Sequence, residues 1–160
     1  MTVSNVDVNN EAKTLTITAQ FDASTEQVWQ LWANPRKLEQ WWGPPAYPAT
    51  VVEHNLIAGG RVTYFMTSPE GDKHHGWWRI VNVEAPTLLK FEDGFGDADG
   101  NPNPEMPITV ARVTIGALDE GGTQMTIESN FPTAEVMAQM VEMGMKDGMT
   151  LAVGQMDALL

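Results

Sequence analysis

The sequence predicts an α+β fold in which an antiparallel sheet is covered on one face by a long C-terminal helix. Three observations predict it. Several segments alternate apolar and polar residues, as half-buried strands do. Between them lie turns rich in Gly, Pro, Asn and Asp. The C-terminal stretch instead spaces its apolar residues by three and four, the period of an amphipathic helix. A sheet that is apolar on one face needs a cover, and only the last helix is long enough to provide it.

Residues 1–12 are read as a flexible or edge-strand N-terminus. From Lys13 to Phe21, Leu15, Ile17, Ala19 and Phe21 alternate with polar residues, which makes a strand. Ser24, with Gln27 three positions on, forms a capping box, and the helix it opens carries Val28, Leu31 and Trp32 on one face. Asn34-Pro35 ends that helix, because Pro35 lacks a donor and disfavours helical geometry before it. A second short helix, Pro35 to Gln40, leads into the rigid aromatic loop Trp41-Trp42-Gly43-Pro44-Pro45. Strands follow over Thr50–Asn55, Arg61–Thr67, His74–Val83, Leu88–Glu92, Ile108–Ile115 and Gln124–Phe131. Gly94 to Pro107 is a long loop, apolar only at Phe95 and Met106. Thr133 caps one long helix from Val136 to near Leu160.

With 160 residues, the chain fits a single domain spanning 1–160. Nine basic residues against 21 acidic ones give a net charge of −12, which repels polyphosphates and anionic surfaces. Nucleic acid and membrane are therefore not expected partners. Absence of cysteine excludes disulfides, thiolate metal sites and a cysteine nucleophile. The polar N-terminus does not read as a signal peptide, and no segment is apolar over a membrane's thickness, so a cytoplasmic protein is expected.

The terminal helix contains Gly144, Gly148 and Gly154, each costing roughly 0.5–1 kcal/mol relative to alanine. Its apolar stripe relies on methionine, a flexible and polarisable side chain. Opposite it, the sheet offers Tyr64, Met66, Met125 and either Trp78 or Trp77, depending on register. Small and soft residues here leave room for a cavity. The same stripe would serve as ordinary core, and the pattern leaves both readings open.

Trp41-Trp42-Gly43-Pro44 after a short helix resembles the signature of homologues of the activator of heat-shock protein 90 ATPase, within the START-like (SRPBCC, helix-grip) superfamily. Phe21 to Trp29, Ala58-Gly59-Gly60-Arg61, His75-Gly76, Val83-Glu84-Ala85-Pro86, Gly122 to Thr126 and Gly144 to Met149 carry the resemblance through the chain from Lys13. It implies a curved sheet of six or seven strands gripping the C-terminal helix, with a deep cleft that binds apolar ligands, some of them polyketide-like. The family's namesake instead docks on a chaperone, which implies a stress-response role. Met149 departs from the tryptophan many relatives carry there, and this widens or softens one end of the cavity.

Adjacent His74 and His75 on a strand face opposite ways and do not chelate one metal together. Asp97-Ala98-Asp99-Gly100-Asn101 fails the EF-hand spacing and reads as a solvated turn. No phosphate loop, dinucleotide fingerprint or nucleophile elbow occurs. The leading expectation is a non-enzymatic protein, with no cofactor or metal, that binds a hydrophobic or aromatic small molecule. Tyr64, Met66, Trp78, Met125, Met145 and Met149 would line the cavity, Trp41 and Trp42 would divide wall and core between them, and Phe95 with Met106 would form a lid. Rival expectations are a chaperone-docking module and a cyclase or hydrolase using His75 or Glu128 in the same cleft.

Overall fold

The computed structural model describes residues 3–160. Its eight strands form one antiparallel sheet, ordered β1-β2-β8-β7-β6-β5-β4-β3. The strands are β1 Val3–Asn9, β2 Thr14–Phe21, β3 Ala49–His54, β4 Arg61–Thr67, β5 Lys73–Glu84, β6 Leu88–Phe95, β7 Thr109–Ala117 and β8 Thr123–Asn130. Four helices accompany them: α1 Thr25–Ala33, α2 Pro35–Trp41, α3 Ala134–Glu142 and α4 Met145–Val153, followed by a 3₁₀ turn over Met156–Leu159.

Eight strands exceed the six or seven expected, and the addition is β1. It pairs with β2 from Val3↔Ala19 to Asn9↔Thr14. Val6 and Val8 pack on the small cluster of Leu15, Phe131 and Met137, which gives this otherwise polar segment a reason to stay on the edge. Residues 1 and 2 of the expected N-terminal segment lie outside the described residues.

The capping box at Ser24 is formed in both directions, between its hydroxyl and the Gln27 amide and between the Gln27 side chain and the Ser24 backbone. Asn34 ends α1 and opens α2, accepting hydrogen bonds from the Arg36 and Lys37 amides. These helices drive Trp32 and Trp41 into the main core, where both are fully buried. Trp32, Trp41, Trp42, Trp78 and Phe91 pack edge-on or tilted, except for Trp78 and Phe91, which stack at 4.0 Å. Such ring pairs add about 0.5–1.5 kcal/mol each beyond the area they bury.

The expected single C-terminal helix is two helices. Gly144 sits at φ +99° between α3 and α4, a left-handed conformation that glycine adopts without the steric cost of a side chain. The chain turns there, with the Met143 amide bonded to the Gln139 carbonyl and the Gly144 amide to that of Val141. After α4, the Gln155 side chain donates to the Gly43 carbonyl at 2.8 Å and to the Trp41 carbonyl at 3.3 Å. This ties the chain's end to the Trp41-Trp42-Gly43 turn. Strand alternation puts Val62, Tyr64 and Met66 of β4 on the concave face and Arg61, Thr63 and Phe65 on the other.

Candidate functional site

A cleft of about 630 Å³ opens between the concave face and the terminal helices. Trp42, Gly43, Pro44 and Tyr47 form one wall, and Tyr64, Met66, His74, Gly76, Asp93, Phe95 and Thr109 the sheet side. Met140, Met143, Gly144, Met145, Gly148, Met149 and Ala152 from the two helices close the other. The break at Gly144 matters here: a Cβ at Gly144 or at Gly148 would meet nothing within 4 Å. At these two positions the helices therefore stand off the sheet, while Met137 of α3 and Ala152 and Val153 of α4 are buried in the core.

Of the residues expected at the cavity, Trp42, Tyr64, Met66, Phe95, Met145 and Met149 line this cleft. Trp41, Trp78 and Met125 do not. They are wholly buried in the core behind it, where the Trp41 indole donates to the Leu31 carbonyl and the Trp32 indole points at the Met125 sulfur. Phe95 ends β6 and is a wall, not a lid. The loop after it packs on the opposite face of the sheet: Gly100 lies against Thr63 and Arg61, and its carbonyl accepts from the Arg61 guanidinium. Met106 is not among the lining residues. Asp97 organises this loop by accepting from the Asp99 and Asn101 amides at 2.9 Å, which holds its carboxyl below the usual range.

The polar part of the cleft was not expected. The Tyr64 hydroxyl donates to Asp93 Oδ1 at 3.1 Å. Both residues sit on the concave face, Asp93 directly opposite Trp78 in β5 and Thr109 in β7. Gly76 makes the arrangement possible, since its missing side chain lets the Tyr64 ring lie flat across the strand. A Cβ there would stand 2.8 Å from Tyr64 Cε2 and closer still to Cζ and the hydroxyl. Desolvation raises the Asp93 carboxyl to about 7, partly opposed by the Tyr64 hydrogen bond. Burial, and then the Asp93 charge, push the Tyr64 hydroxyl well above its ordinary value. The indole N–H groups of Trp42 and Trp78 bear on the same phenol oxygen, yet neither completes a hydrogen bond.

The histidines divide as strand geometry requires. His74 faces Tyr47 and His75 faces Phe65, while His54 Nε2 lies 3.0 Å from the Trp32 carbonyl. Among the described residues no three His, Asp or Glu side chains gather to hold a metal. Glu128 accepts from the Asn130 side chain and does not line the cleft, whereas His75 does. Arg61 and Arg79 pair with Glu53 and Glu92 at 2.8 and 2.6 Å on the other face of the sheet. No helix of the described residues is long and apolar enough to cross a membrane.

The family model described as "Activator of Hsp90 ATPase homolog 1-like protein" matches residues 22–160. Among solved structures, protein Ms6760 from Mycobacterium smegmatis is 46% identical, with a TM-score of 0.90 over 99% of this chain and 96% of that one. A protein from Arthrobacter aurescens is also 46% identical, with a TM-score of 0.93 over 99% and 91%. One from Staphylococcus epidermidis is 25% identical, with a TM-score of 0.83 over 100% and 93%. No curated protein sequence matches.

Proposed function

Since this chain belongs to the activator of Hsp90 ATPase homolog 1-like family, a START-like group, we propose that it binds one apolar small molecule in the cleft and does so without chemistry. The observation that carries this reading is the cleft itself, about 630 Å³ left open after every side chain is placed. Its size falls in the range of drug-sized ligand sites. Its walls are chiefly methionine, aromatic rings and glycine, with few polar groups to orient a guest. Four methionines on the helix side suit ligands of varied outline, because an unbranched thioether chain repacks easily. The cleft favours this reading over chaperone docking.

The test is a titration with N-phenyl-1-naphthylamine, a neutral apolar dye that brightens out of water. Saturable binding at one site per chain, competed by other apolar aromatics, is the expected result. A dye that stays dark at all protein concentrations would overturn the proposal.

A further inference from the structure

We propose that the cleft selects an apolar ligand that carries a protonated amine, which docks on the free oxygen of Asp93. This rests on the cleft being a ligand site and names the class of molecule it takes. Asp93 Oδ1 is held by the Tyr64 hydroxyl at 3.1 Å, while Oδ2 has no hydrogen-bond partner among the described residues. This oxygen is not among the buried polar atoms that lack a partner, so it meets the open cleft, where an ammonium can pair with it by a charge-assisted hydrogen bond. The protein does not supply the partner, for neither lysine nor arginine lines the cleft.

The surroundings suit a cation in other respects. The rings of Trp42, Tyr64 and Phe95 line the same space, and their faces attract ammonium groups. A net charge of −12 draws cations towards the mouth and repels carboxylate-bearing guests such as fatty acids. The Tyr64 hydroxyl holds one oxygen of a carboxylate that itself lines the cleft, which leaves the other for a guest. Gly76 leaves the space in which that ring lies.

Burial places Asp93 at about 7, which makes the preference depend on pH. The titratable groups that line the cleft with Asp93 are Tyr64 from β4, His74 and His75 from β5, and Tyr47 from the turn after α2, and of these Tyr64 touches it. α3 and α4 present methionine, glycine and alanine to the cleft and no charge. An ammonium favours the ionised carboxyl, so its docking near neutral pH drives a proton off Asp93.

Three probes that share one ring system separate the possibilities: 1-naphthylmethylamine, 1-naphthalenemethanol and 1-naphthoate, titrated by calorimetry against the whole protein and Asp93→Asn. At about pH 8 the amine should bind the wild type roughly 10–100-fold more tightly than the alcohol, the range for a hydrogen bond to a charged group, with the naphthoate weakest. Asp93→Asn should abolish that ranking, bringing the amine down to the alcohol's level. At pH 7 the amine's binding heat should shift with the buffer's ionisation heat, reporting the released proton, and in Asp93→Asn it should not. Alcohol binding without amine preference, or a preference that survives Asp93→Asn, overturns the proposal and leaves the ligand site standing. Failure of all three probes overturns the ligand site itself.

Discussion

Gly76→Ala is the smallest change that interrogates how the cleft is built. The new Cβ would lie 2.8 Å from Tyr64 Cε2, against the 3.4–4 Å of ordinary contact, so the ring must move by roughly 1 Å. It has little freedom to do so, with Trp42 and Trp78 packed edge-on at 5.9 and 6.3 Å. Overpacking of this kind costs about 1–3 kcal/mol. Displacing the hydroxyl also weakens its bond to Asp93, and a bond to a charged group contributes about 1.5–3 kcal/mol. Asp93 is only partly buried, so the lower end of that range applies and the total expected is about 3 kcal/mol. Urea unfolding at about pH 8 measures it, in the wild type and in a Tyr64→Ala background. Without the ring the same substitution should cost under about 1 kcal/mol, since alanine is otherwise the better strand residue. An equal cost in both backgrounds would refute the claim that Gly76 exists to seat Tyr64.

Three further outcomes are expected. Asp93 has a folded value of about 7 against 3.8 when unfolded, so the native state holds the extra proton between those values and stability falls as pH rises through 7. From pH 5 to pH 8 the wild type should lose about 2–3 kcal/mol more than Asp93→Asn in urea unfolding, and parallel pH profiles would contradict this. Gly148→Ala adds a methyl that meets no neighbour within 4 Å, so it should stabilise the chain by about 0.5–1 kcal/mol while lowering dye affinity. Gain without loss of affinity would show that α4 does not wall the site. Met149→Trp should abolish binding of a bulky dye and keep a native circular dichroism spectrum, because it fills the lined space from the helix side; unchanged affinity would count against this position.

Alternation and capping made most of the fold legible. Leu15 to Phe21, Val62 to Met66 and the Ser24–Gln27 box state their local structure in their own side chains, and each forms as read. One reading stayed open between two alternatives, and one feature escaped. Val6 and Val8 alternate weakly among Asp and Asn, so β1 is held by its pairing with β2 more than by its own pattern. Gly144 looked like one small residue on a continuous stripe, and spacing cannot reveal that its backbone is left-handed. At the site, alternation assigned residues to the concave face correctly but not to a depth along it. Trp78 and Met125 share that face with Tyr64, yet they are fully buried in the core and do not line the cleft. The sequence pattern ends this strand at Glu92, which leaves Asp93 outside it, whereas β6 runs to Phe95. Phe91, Asp93 and Phe95 share one face of β6, and a carboxylate flanked by two phenylalanines at that spacing is the signal that would have found it.

Native mass spectrometry of the chain purified from its own host puts the open cleft to the most direct trial. The expected result is a single apolar adduct per chain, released on unfolding and missing from Met149→Trp prepared in the same way. A bare polypeptide mass, in a preparation that also leaves lipophilic dyes dark, would contradict it.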